Sequence, residues 1–141
     1  MANLEHQDTA FRPALSAARL LVVECHVAAA EAGWWTDPKT GELLCSAEDS
    51  PAKVNIGERI ALMHSELSEA LEGARKGAMD DHLPEFNALT VELADAVIRI
   101  FDFAGGLSLR LPEALVAKLA YNRTRADHKI ENRRKDGGKK F

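Results

Sequence analysis

"VELADAVIRIFDFAGG", residues 91–106, decides how the chain must fold. On a helical wheel at about 100° per residue, Leu89, Leu93, Ala94, Ala96, Val97, Ile98, Ile100, Phe101, Phe103 and Ala104 cover most of the circumference. One polar stripe remains, made of Glu92, Asp95, Arg99 and Asp102. A helix apolar nearly all round belongs in a core. Carboxylates on such a helix need partners, because an isolated buried charge costs several kcal/mol or neutralises instead.

"HSELSEALEG", residues 64–73, offers the matching half. Ile60, Met63, Leu67, Ala70, Leu71 and Ala74 form the expected apolar face of its helix. Glu66 and Glu69 flank that face, whereas Glu72 and Lys76 lie on the far side as a solvent-facing i,i+4 pair. Taken alone, Glu66 and Glu69 read as a solvated face. The second acidic pair, Glu92 and Asp95, reverses that preference. If the two helices pack antiparallel, four carboxylates meet in one cleft, repel and raise one another's pKa values. A hard divalent cation relieves the repulsion, and oxygen ligands suit Mg²⁺ or Mn²⁺. A di-iron bundle would want two Glu-x-x-His motifs, and the chain has none.

Outward from these helices, a first is expected over 13–32, with Pro13 in its first turn and Gly33 after its end. The acidic pairs sit on expected helices 56–76 and 86–104, and a fourth starts at Pro112 and runs to about 134. With no period-2 strand pattern and no internal repeat, the expected fold is an all-α four-helix bundle. Residues 1–134 read as one domain and 135–141 as a mobile basic tail. The connection 34–55 carries turn signals and is long for a compact domain, as functional loops often are.

The 141 residues suffice to bury a core, and 46% are hydrophobic, which excludes a disordered chain. A net charge of −4 argues against broad nucleic-acid binding. No basic stretch precedes an apolar run with a cleavage site, and charges interrupt the longest apolar stretches. Neither a signal peptide nor a membrane span is therefore expected. Cys25 and Cys45 form no CxxC and read as reduced thiols in a cytoplasmic protein.

Glu66-x-x-Glu69 followed by Glu92-x-x-Asp95 resembles the paired acidic motif of the MazG-like all-α nucleoside triphosphate pyrophosphohydrolases. "LMHSELSEALEG", "VELADAVIRIFDFAGGL" and "EALVAKLAYNRTRADHK" stand in the family's order, and a "GWW" precedes the second helix as in its phage-type and bacterial members. The likeness covers roughly residues 33–129 and includes Lys118-x-x-x-Asn122-x-x-Arg125. It implies Mg²⁺-dependent hydrolysis of an NTP or dNTP to the monophosphate and pyrophosphate, with Mn²⁺ as a substitute ion, in a nucleotide-pool cleansing role. Glu66, Glu69, Glu92 and Asp95 would hold the metal. Water would attack the α-phosphorus, with Glu69 taking its proton. Ser65 stands where many members carry a further Glu.

Lys118, Asn122 and Arg125 would share one face of the fourth helix. By spacing alone that face is merely solvated; the resemblance turns it towards phosphate binding. Arg75 and Lys76 are weaker candidates, as cations at a helix end usually complement the dipole. Arg99 reads first as an ion-pair partner of Asp95 or Asp102, but the resemblance places its position near the base, where it could donate to a base carbonyl. Of Trp34 and Trp35, one packs while the other closes on a nucleobase. His26, His64 and Cys25 read as packing residues. The alternative to an enzyme is a non-catalytic helical module that binds nucleotide or a partner protein. A homodimer or homotetramer is expected, because four short helices cannot easily cover the third, and the resemblance implies the same.

Overall fold

The computed structural model describes residues 11–46 and 51–137. Among these residues the regular structure is helical: α1 Arg12–Glu31, α2 Ile56–Lys76, α3 Ala88–Gly106, α4 Leu111–Thr124 and a short α5 Ile130–Arg133. Extended pairing among them is confined to isolated bridges, Thr36 with Leu43 and Met79 with Asn87. The all-α expectation therefore holds. Residues 47–50 of the long connection and 138–141 of the expected tail lie outside the described residues.

The described residues divide into two compact units, one within 20–109 and the other made of 11–19 with 110–137. In the central unit the main helix pair is α2 against α3. Each has an asparagine cap: Asn55 accepts from the Glu58 amide at 3.2 Å and Asn87 from the Thr90 amide at 2.8 Å. Such caps contribute about 1 kcal/mol each. Gly77 ends α2 in the left-handed region, φ 61°, with its amide donating to the Gly73 carbonyl. The helices run antiparallel and approach closely at Gly73, where a Cβ would lie 2.9 Å from both the Ala88 Cβ and the Leu89 amide nitrogen. An alanine there would force α3 outward.

The seam between α2 and α3 differs from the expected one. Glu66, Ala70 and Gly73 are the buried residues of α2, whereas Ile60, Leu67 and Leu71 are exposed. On α3, Ala96, Asp102, Ala104 and Gly106 are buried, whereas Leu93, Val97, Ile98 and Ile100 are exposed. Gly73 lets the two backbones come close at the seam, while Asp102 and Gly106 of α3 are covered by Trp35 of the loop after α1. On α1, Leu20, Val23 and Val27 are also exposed. By length and composition α1 could cross a membrane, at mean hydropathy 1.3 with 6% of that stretch buried, contrary to the expectation that no segment qualifies; a mostly buried core helix and an N-terminal signal sequence pass the same test.

After α1 the chain is anchored by Trp35, which is 1% exposed. Its ring lies against Gly106, where a Cβ would meet it at 2.1 Å. The following loop is tied down by Leu44 N–H to the Trp35 carbonyl at 2.9 Å and Ser46 N–H to the Gly106 carbonyl at 2.7 Å.

In the terminal unit, Arg19 donates to Glu113 at 2.7 Å, and Arg123 lies 4.3 Å over the Phe11 ring. The fourth helix does not run to 134. It stops at Thr124, and Arg125 is extended at φ −67°, ψ 123°. Arg125 instead forms two hydrogen bonds with Asp127, at 3.0 and 2.6 Å, around a 3₁₀ turn Ala126–His128. Lys118 and Asn122 therefore share a helical face without Arg125.

Candidate metal centre

Glu66 and Glu69 come from α2, and Glu92 and Asp95 from α3, each pair one turn apart. The antiparallel seam brings three of them together: one carboxylate oxygen each from Glu66, Glu69 and Glu92 lies within 4.8 Å of the others. Glu66 is buried, Glu92 half-buried and Glu69 exposed. Asp95 is not in this group; it lines a cavity of about 340 Å³ with Arg99 and Asp102. Glu69 and Glu92 line a second opening, of about 360 Å³, with Lys76, Asp80, Asp81 and His82.

The donor set fits a hard cation. Opposite ligands of octahedral Mg²⁺ stand about 4.2 Å apart, so the three oxygens would draw together to share one ion. Burial, then the charges of Glu69 and Glu66, push the Glu92 carboxyl above its ordinary value. Burial and Glu66 likewise raise Asp95, against the pull of Arg99.

These shifts set a direction for stability. The folded chain holds both protons more tightly than the unfolded chain, so their contribution is full below the ordinary values of 4.5 and 3.8 and is lost as pH rises through the raised ones. At neutral pH the bare carboxylates therefore destabilise the fold. Glu92→Gln is expected to raise the melting temperature of the metal-free chain by a few degrees at pH 7. The gain should shrink as pH falls towards 4.5, the ordinary value for this carboxyl. Thermal melts of both proteins across that range check it.

Arg99 pairs across the seam, not along its own helix: its Nε donates to Glu66 Oε1 at 2.6 Å. This one cation offsets part of the acidic charge. Ser65, directly before Glu66, donates its hydroxyl to the Leu62 carbonyl at 2.8 Å and is committed to its own helix. Glu72 pairs with Arg75 at 2.6 Å and Lys76 at 3.2 Å on the exposed side of α2, as expected for the 72–76 pair.

Beside the acids lies a cluster that the sequence did not reveal. Asp102 is buried, and its Oδ1 accepts from Trp35 Nε1 at 2.6 Å and contacts His26 Nδ1 at 3.0 Å. Arg59 lies 4.6 Å over the Trp35 ring and donates to the Trp34 carbonyl at 2.7 Å. The packing role thus falls to Trp35, while Trp34 is 68% exposed at the 340 Å³ cavity. Asp102 stood in the polar stripe of α3, but its partners come from α1 and the loop, and no spacing in the sequence links them. His26 packs as expected, Cys25 is half-buried, and His64 is exposed.

Lys118, Asn122 and Arg125 belong to the terminal unit. Lys118 lies 5.0 Å over the Tyr121 ring. The Asn122 side-chain oxygen is buried without a hydrogen-bond partner.

Compared with protein-family models, curated proteins and solved structures, the chain gives no match.

Proposed function

We propose that the chain is a Mg²⁺-dependent nucleoside triphosphate pyrophosphohydrolase of the MazG-like type, with α1–α4 forming a four-helix bundle completed in a homo-oligomer. The observation that carries this reading is the Glu66–Glu69–Glu92 group, formed by two antiparallel helices in the seam. These three carboxylates would hold the ion, with Asp95, which stands outside their group, as a further candidate ligand. When bound, the cation would supply charge neutralisation for the triphosphate and orientation for the water that attacks the α-phosphorus. Glu69, the exposed member, takes the proton as the new P–O bond forms. The α–β bridging bond breaks, and pyrophosphate leaves with the bridging oxygen. The test is pyrophosphate release across a panel of standard and damaged ribo- and deoxyribonucleotides.

The outward apolar side chains of α2 and α3 support self-association, since large exposed apolar patches mark interaction surfaces. The expected mass in solution at micromolar concentration is that of a dimer or tetramer. A monomeric mass by light scattering would count against it.

The Arg99–Glu66 pair favours a second reading, in which the acids are structural and balanced by arginine. Divalent metal then leaves the melting temperature unchanged. A non-catalytic nucleotide-binding module differs from both: Mg²⁺ with nucleotide stabilises it without turnover.

A further inference from the structure

Arg99 faces two ways. Its Nε is held by Glu66, one of the three clustered carboxylates, yet the residue also lines the 340 Å³ cavity. A guanidinium carries five N–H donors. Apart from Nε, those of Arg99 make no hydrogen bond among the described residues, and its side chain is 42% exposed. A cation bound at Glu66 repels the guanidinium and competes with it for the carboxylate, which favours Arg99 turning towards the cavity that it also lines.

The cavity has the makings of a base site. Ala29, Leu62 and Ile98 give apolar walls, and the exposed ring of Trp34 gives an aromatic edge. Its polar members are cations and acids together: Arg59 and Arg99 with Asp95 and Asp102. Asp102 Oδ1 is taken by Trp35 and His26, while Oδ2 makes no hydrogen bond among the described residues. An arginine fork beside a carboxylate matches a base edge that has two acceptors next to N–H donors. Guanine offers O6 and N7 to the fork, and N1–H and N2–H to the carboxylate. Adenine presents its amino group where the fork would donate and a bare ring nitrogen where the carboxylate would accept.

Building on the proposed function, we infer that Arg99 is a specificity-determining residue that couples the metal centre to a guanine-selective cavity: cation binding at Glu66 releases Arg99 to the base. Cation and guanine nucleotide then bind cooperatively, and the coupling is reciprocal.

The experiment is calorimetric titration of the full chain with Mn²⁺, alone and with saturating GMP or AMP. Monophosphates are used because a triphosphate carries the cation in with it. Mn²⁺ is expected to bind about fivefold or more tightly with GMP present, and unchanged with AMP. Arg99→Gln, which keeps the length and removes the charge, is expected to bind Mn²⁺ more tightly than the parent and to lose the GMP effect. The measurement on the parent chain needs no variant, so a misfolded Arg99→Gln leaves the test intact. Equal coupling with AMP, or none with GMP while Mn²⁺ binds and pyrophosphate is released, overturns the inference and leaves the enzyme reading standing. Failure of Mn²⁺ to bind at all overturns both.

Discussion

Glu66→Gln is expected to lower pyrophosphate release by about a thousandfold, because a cation at such a site supplies several kcal/mol of transition-state stabilisation. Glu66 is the buried member of the acidic group, and its Oε1 is already the acceptor of the Arg99 guanidinium. An amide of the same shape keeps the volume but loses the charge that both the cation and Arg99 require. Asp95→Asn should also slow turnover, with a smaller loss of metal affinity, because Asp95 stands outside the group within 4.8 Å. Steady-state rates and Mn²⁺ titrations of the two variants check this order. Equal activity of Glu66→Gln and the parent would remove the metal centre from the reaction.

Trp35→Ala is expected to have the largest effect on stability. Trp35 is 1% exposed, fills the space above Gly106, donates to Asp102 and lies under Arg59. Truncating a buried Trp costs about 3–5 kcal/mol, which for a chain of this size lowers the melting temperature by roughly 10 °C or more. Asp102→Ala should cost about 1–3 kcal/mol by leaving the buried indole N–H unpaired. Trp34→Ala is the contrast. Its side chain is 68% exposed, and its link to Arg59 runs through the backbone carbonyl, which the substitution keeps. Its melting temperature should barely move, while nucleotide binding weakens. Thermal melts of the three variants separate these roles; similar losses for both tryptophans would contradict the assignment.

Helix positions were readable in the sequence because caps and periodicity are local. The 56–76 helix coincides with α2, and α1 and α3 lie within two residues of expectation at each end. The end of α4 was not readable, because the chain turns extended at Arg125, whose side chain pairs with that of Asp127, and no proline or glycine marks the turn. The inward side of the helix pair was also misjudged. A wheel identifies stripes but not which stripe meets a partner, and here the buried stripe is Glu66, Ala70 and Gly73, with the close approach at Gly73. The gathering of Glu66, Glu69 and Glu92 was legible from the pairing of two i,i+3 motifs. The Asp102–Trp35–His26 cluster was not, since its members are brought together only by the fold.

Turnover of the nucleotide panel in ¹⁸O-labelled water with Mg²⁺ tests the central proposal most directly. Water attack at the α-phosphorus puts the label in the nucleoside monophosphate and leaves pyrophosphate unlabelled. Label in the pyrophosphate, or no turnover of any nucleotide in the panel, would contradict it.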